Sequence, residues 1–246
     1  MRIILITGFG RFPGAPVNPS GPMATRLARR RRPAFAATRR IAHVFATRYD
    51  AVDRELPVLL AREKPDIVVM FGVATRSHRV RVEERARNRI ALFPDASGHR
   101  PATRTIAPHR DAQRNPLPVA RLVKAARTAR VEAAPSRNAG AYLCNYVYWC
   151  ALEAAARPDG PGQVIFIHVP PVGLKELPKK LFKRRSKRLS KRFSKRLSKR
   201  LSKKFPEQLS NGRQMRKRRA PRLNDLIRAG EAILLAMISL AAAEPR

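Results

Sequence analysis

Two stretches of the chain are apolar without alternation: Asp66-Ile-Val-Val-Met-Phe-Gly72 and Gln163-Val-Ile-Phe-Ile-His-Val-Pro170. A strand with one wet face alternates polar and apolar residues, so continuous runs of this length read as strands covered on both sides. A third apolar run, Ile3 to Thr7, opens the chain and ends in a glycine-rich turn. Helical periodicity fills the gaps between them over Pro22 to Arg32, Asn115 to Arg130 and Ala141 to Ala156. Buried strands alternating with helices predict an α/β fold, a single three-layer α/β/α domain around a twisted, mostly parallel or mixed sheet. The 246 residues suffice for one such core. Residues 94–116, rich in Pro, His, Asp and Gly, read as a long surface loop, with a strand expected near Ala102 to Ile106.

The formal charge of +36 would strain any compact state if it were evenly spread. Residues 175–219 hold 21 Lys/Arg and 2 Glu, a net +19 that leaves +17 for the remainder. From Leu181 this segment repeats a four-residue unit, as in Ser186-Lys-Arg-Leu and Ser194-Lys-Arg-Leu. On a helix its apolar positions advance about 400° per repeat, so the stripe winds around the axis and faces no single core. Helical periodicity returns at Leu223, with Asn224 or Asp225 favouring the N-terminal end. The expected organisation is an α/β domain over 1–174 and 222–243, interrupted before its last helix by a Lys/Arg-rich low-complexity insert over 175–221. Such an insert has the charge to contact polyanions, nucleic acid or acidic lipid, without sequence preference.

The first strand is too short for a secretory apolar core, and the uncharged run Ala232 to Ala243, at twelve residues, is too short for a membrane span. Cys144 and Cys150 lie six apart on one predicted helix, where their side chains diverge. Reduced thiols and a cytoplasmic setting are expected. No cysteine or histidine spacing suits zinc, and no metal or cofactor is expected.

Cys144 falls near the start of its helix, where free N–H groups and the dipole favour a thiolate and can receive an oxyanion. Taken alone, a cysteine on an apolar helix is more often an inert core residue, and Cys150, nearly two turns further on, suits that reading better still. His168 ends a buried strand, at the sheet edge where open α/β folds place their sites. Of the other histidines, His43 fits a strand face, whereas His78, His99 and His109 fall in Arg- or Pro-rich stretches that read as solvated. A thiol and an imidazole on adjacent elements supply the nucleophile and base of covalent acyl transfer, and a carboxylate from Glu83 or Glu84 would complete a triad. Gly8, Gly10 and Gly14 also follow a strand, but with Pro13 between them and arginines, not an acid, about twenty residues on, the fit to a dinucleotide fingerprint is poor.

Four separated segments, in order, resemble the pyroglutamyl peptidase I (pyrrolidone-carboxylate peptidase) family of cysteine peptidases. They are Ile6-Thr-Gly-Phe-Gly-Arg-Phe-Pro-Gly14 with Asn18-Pro-Ser20, Glu83-Glu-Arg-Ala-Arg-Asn88, Ala139-Gly-Ala-Tyr-Leu-Cys-Asn145, and Phe166-Ile-His-Val-Pro170. The resemblance implies that Cys144 attacks the carbonyl after an N-terminal pyroglutamyl residue, that His168 moves the proton, and that a glutamate holds the imidazole. Spacing to Asn88 selects Glu83, whereas the arginine that follows Glu84 favours Glu84. It further implies that Phe9 and Phe12 wall an apolar slot for the lactam, that Asn18 and Arg76 contribute to substrate binding, and that the partners are pyroglutamyl peptides. Family members commonly form homo-oligomers, an arrangement the insert could prevent. The sequence departs from the family where Ala74-Thr-Arg-Ser77 replaces a Gly-Gly-Arg turn and where Trp149 stands for a tyrosine. The competing reading is a catalytically inactive scaffold that binds polyanions through its basic segment.

Overall fold

The structure, a computed structural model, describes residues 1–12, 14–108, 111–172 and 221–243. Three apolar strands build its centre: β1 (Arg2–Phe9), β3 (Ile67–Val73) and β8 (Gln163–Val169). All seven residues of β8 are buried, as are six of the seven in β3, which accounts for the absence of alternation in their sequences. The edge strand β2 (Thr38–Phe45) and the shorter β4 (Val80–Glu83) and β7 (Ala133–Ser136) complete a six-stranded sheet ordered β2-β1-β3-β8-β4-β7. β2, β1, β3 and β8 run parallel, β4 is antiparallel to β8, and β7 is parallel to β4, so the sheet is mixed. A small antiparallel pair, β5 (Arg85–Arg87) and β6 (Ala112–Arg114), stands beside it.

One face of the sheet carries α1 (Ser20–Ala28), α3 (Val119–Thr128) and α5 (Leu223–Ala243); the other carries α2 (Tyr49–Glu63) and α4 (Leu143–Ala155). This is the expected three-layer arrangement. Several bounds differ from the sequence reading for local reasons. α1 ends at Ala28, and a 3-10 turn at Pro33–Phe35 leads into β2. α3 starts only at Val119, because Pro116 and Pro118 deny the preceding residues helical geometry. The strand expected near Ala102 to Ile106 does not form. Asn88 holds that stretch instead, its Oδ1 accepting the N–H of Ile106 and Ala107 at 2.6 and 3.0 Å, and the local strand is β6.

α5 is longer than the twelve-residue uncharged run, and its 21 residues are long and apolar enough to cross a membrane by length and composition. Its buried stripe, including Leu226, Ile233, Leu234 and Met237, packs against α1, α3 and β8, the role of a core helix. Asp225 Oδ2 accepts the Arg222 N–H at 2.9 Å, and buried Glu231 pairs with Arg30 and Arg32 at 3.0 and 2.6 Å. Apart from Pro221, the basic insert expected over 175–221, its low-complexity repeat included, lies outside the described residues, as does His109.

Gly8, next to the last residue of β1, answers to packing. A Cβ on Gly8 would lie 2.4 Å from the Ser20 carbonyl oxygen, so the missing side chain lets the start of α1 rest directly on β1. The Phe9 N–H donates to Ser20 Oγ at 3.0 Å and seals the junction. Gly8→Ala forces backbone against backbone, and the expected loss is about 1–3 kcal/mol, as for other overpacked sites. Thermal unfolding of this variant beside wild type measures it, with a clearly lowered Tm as the expected result.

Candidate active site

The nucleophile candidate is built by the chain leaving β7. Gly140 adopts φ +89°, a left-handed geometry that suits glycine, and turns the backbone toward Tyr142 (φ −113°, ψ −167°), which caps α4 without a side-chain bond. Cys144 is therefore the second residue of α4, in the turn whose N–H groups have no intrahelical acceptor. Its thiol lies over β3: a Cβ placed on Gly72 would come within 2.7 Å of Cys144 Sγ. Gly72 is the register partner of His168 in the adjacent strand β8. A glycine at that one strand position makes room for the sulfur beside the imidazole.

His168 is buried and its Nδ1 donates to Glu83 Oε1 at 2.8 Å, leaving Nε2 free to face the Cys144 thiol. Burial by itself would lower the imidazole pKa. The nearby Cys144 thiol and the Glu83 carboxylate outweigh it and push the value up to about 9. Glu83 has no exposed surface, and Arg81 Nη2 lies 3.1 Å from the same Oε1. Tyr148 donates to the Glu83 backbone carbonyl at 2.9 Å and fixes the strand from behind. Glu84 points elsewhere and pairs with Arg137 at 3.4 Å. Adjacent strand residues face opposite sides of a sheet, so only one of the two glutamates can reach the imidazole.

Among the expected substrate residues the structure draws distinctions. Phe12 is half-buried in the β1–α1 loop, and its ring sits 6.0 Å from that of Tyr142, at the start of the Cys144 helix. Phe9 is a core residue, packed on Phe45 and 4% exposed, because it still belongs to β1. Asn18 spends its side chain on the loop: Nδ2 donates to the Gly10 carbonyl at 2.9 Å, and Oδ1 accepts from Ser20 N and Oγ at 3.1 and 2.7 Å. Arg76 stands exposed in the turn after β3; the cation joined to the Glu83 carboxylate is Arg81. His43 bonds Glu55 at 2.7 Å on the β2 face, while His78 and His99 are exposed.

The sequence reading missed Gly72, Arg81 and Tyr49. Gly72 hides at the end of an apolar run, and no pattern announces a sulfur above it. Arg81 was legible in principle, being two residues from Glu83 and therefore on the same strand face. Tyr49, the first residue of α2, is 5% exposed, stacks edge-on against Tyr142 with centroids 6.0 Å apart, and has a buried hydroxyl with no partner among the described residues. Burial is the main cause that raises its pKa, and Tyr142, Asp95 and Cys144 add to it, so the phenol stays protonated.

Comparison with known proteins bears on this geometry. The sequence model of the pyroglutamyl peptidase family matches residues 2–184. The chain belongs to the pyroglutamyl peptidase I family of cysteine peptidases. It is 34% identical over 171 residues to the pyrrolidone-carboxylate peptidase of Thermococcus onnurineus (strain NA1), spanning 68% of this chain and 82% of that one. With the enzyme of the same name from Pseudomonas fluorescens (strain SBW25) it shares 33% over 177 residues, covering 69% and 79%. Its fold superposes on pyrrolidone carboxyl peptidase from Thermococcus litoralis with a TM-score of 0.72 at 26% identity, covering 99% of this chain and 97% of that one. A mutant enzyme from Pyrococcus furiosus gives 0.73 at 22% identity, covering 98% and 100%.

The two free thiols of this family member sit in different surroundings, Cys144 over Gly72 and Cys150 beside Asp53 and Glu153. Burial, aided by Asp53 and Glu153, pushes Cys150 up to about 12. Iodoacetamide at neutral pH should label Cys144 and spare Cys150, since the thiolate is the nucleophile. Peptide mapping by mass spectrometry checks this, and Gly72→Ala, which crowds the sulfur, should change the labelling rate of Cys144 alone.

Proposed function

We propose that the protein hydrolyses the amide bond after an N-terminal pyroglutamyl residue through a thioester on Cys144. The observation that carries the reading is the seating of the Cys144 sulfur over Gly72, next to an imidazole whose far nitrogen is held by buried Glu83. In a member of this peptidase family, that arrangement supplies a nucleophile, a proton carrier and the group that orients it.

Sγ of Cys144 attacks the carbonyl carbon, and the thiol proton resides on His168 Nε2. The oxyanion forms against the unpaired N–H groups at the start of α4. His168 then gives its proton to the departing amine nitrogen, the C–N bond breaks, and a pyroglutamyl thioester remains. Water attacks the thioester, His168 receives its proton, and pyroglutamate leaves as the proton returns to sulfur. Glu83 keeps the imidazole turned toward Cys144 and stabilises its cationic form throughout.

The lactam is neutral, so its slot needs apolar walls and a few donors, with no acidic residue. Tyr142, two residues before Cys144, and Phe12 packed against it provide rings at the start of α4, and the unpartnered Tyr49 hydroxyl provides a donor for the lactam carbonyl. Phe9 supports the slot from the core. Free cysteines and a thiol nucleophile suit a reducing, cytoplasmic setting. Contact of the basic segment with polyanions, and self-association, are separate properties that this chemistry does not require.

Release of a fluorescent amine from a pyroglutamyl amide under reducing conditions tests the reading. Turnover should disappear in Cys144→Ala and His168→Ala; a folded wild type without turnover would refute the proposal. Tyr49→Phe removes an unsatisfied buried hydroxyl, so its Tm should hold or rise while KM increases roughly tenfold, the worth of one hydrogen bond.

The pH dependence has a definite sign. The imidazolium persists up to about 9 in the folded protein, against an ordinary value of 6.5, so kcat/KM should fall as pH rises through about 9. Glu83→Gln removes one cause of the raised value and should move that limb downward. By the same linkage, the stabilisation His168 gives the fold is complete below 6.5 and lost as pH rises through about 9.

A further inference from the structure

Three arginines alternate along β4 and its continuation, and all three grip the segment that leads to the nucleophile. Arg85 Nε donates to the Arg137 carbonyl at 3.0 Å, and Arg87 Nη1 donates to Asn138 Oδ1 at 3.0 Å. Arg81 reaches furthest inward. Its Nε and Nη2 donate to Ser136 Oγ at 3.1 and 2.7 Å, and Nη2 also donates to the Asn138 carbonyl. The same Nη2 lies 3.1 Å from Glu83 Oε1, the oxygen that accepts the His168 Nδ1–H at 2.8 Å. Arg81 is also the register partner of His168 across the antiparallel β4–β8 pair. Its side chain is 29% exposed whereas the carboxylate is fully buried.

These contacts place one guanidinium on all three parts of the site: the acid directly, the base through a shared oxygen, and the nucleophile through Ser136 and Asn138, which precede Gly140 and α4. We propose that Arg81 is a positioning residue that clasps Glu83 to the Ser136–Asn138 segment and, by sharing Oε1 with His168, limits how much of the carboxylate's charge serves the imidazole. A buried carboxylate needs such a partner, since a charge removed from water without pairing is strongly destabilising. The cation also opposes a second positive charge on His168. Among the described residues, the titratable and charged groups that face His168 are Glu83 and Arg81 from β4 and Cys144 from α4, with the Phe166 ring of its own strand 4.8 Å away.

The proposal rests on the peptidase reading of the site, but its test does not need turnover. In the Cys144→Ala background, NMR titration of His168, assigned by its loss in His168→Asn, should move up by about half a pH unit or more when Arg81→Met is added. Arg81→Lys keeps the charge and should leave the titration near its starting value. In the otherwise wild-type protein, Arg81→Met should lower kcat roughly tenfold or more with little change in KM and shift the alkaline limb of kcat/KM upward, and Arg81→Lys should recover part of the loss. A titration unmoved by Arg81→Met overturns the proposal even if turnover falls, because a merely loosened loop slows the reaction without altering the imidazole's affinity for its proton. Should Arg81→Met not fold, Arg81→Gln at the same position serves, with the same criterion. Absence of turnover in wild type together with a shifted titration would reject the peptidase reading and keep the clasp.

Discussion

A carboxylate with no exposed surface, held between an imidazole and a guanidinium, is the constraint around which this protein is organised. Moving Glu83 out of water is costly, and only short bonds to charged or polarised donors offset it. Its partners come from different strands, His168 on β8 as hydrogen-bond donor and Arg81 on β4 as counter-charge, so the arrangement can form only when those strands meet in the antiparallel register that sets Arg81 against His168. The mixed character of the sheet follows from that meeting: β2, β1, β3 and β8 run parallel, and β4 reverses beside β8. Tyr148 of α4 braces the same strand through the Glu83 carbonyl. Fold and site are thus one arrangement, in which loss of the register would leave a buried charge unpaired.

Steric permissions complete what electrostatics begins. Gly72 leaves space for the Cys144 sulfur above β3, and Gly8 leaves space for α1 against β1, which frees the loop bearing Phe12 to reach Tyr142. Asn145, next to Cys144, accepts the Arg87 N–H and donates to the carbonyls of Arg87 and Arg89 at 2.7 to 3.0 Å, binding the start of α4 to β5. The glycine and asparagine positions of the quoted motifs therefore act as spacers and ties, while the reacting groups are few.

Much of this was legible in the sequence, for reasons that differ by element. Strands buried on both faces lose the polar partner of every other residue, so β3 and β8 stand out as unbroken apolar runs, and the end of β8 marks His168. β2, an edge strand carrying Arg39 and Arg40, has one face in water and an indistinct pattern. β4 and β7 have four residues each, too few for periodicity, and Pro135 disguises β7. The choice between Glu83 and Glu84 depended on which face of β4 turns to β8, a matter of register that spacing alone leaves open. Phe9, which the family resemblance implies as a slot wall, is the last residue of β1, and the strand delivers it to the core. Arg76, expected to contribute to substrate binding, stands exposed in the turn after β3, and Arg81 reaches the Glu83 carboxylate because the pleat brings residues two apart onto one face. The Tyr49 hydroxyl had no sequence signal, as an unsatisfied donor becomes visible only when its surroundings are known.

The most direct test of the central claim, that Cys144 is the group His168 and Glu83 serve, is the mass of the enzyme quenched during turnover of a pyroglutamyl ester. A fast-acylating substrate should leave one pyroglutamyl group on the peptide containing Cys144, accumulating further when Glu83→Gln slows the later attack by water. Turnover with the acyl group on any other residue, or undiminished turnover in Cys144→Ala, would contradict the account.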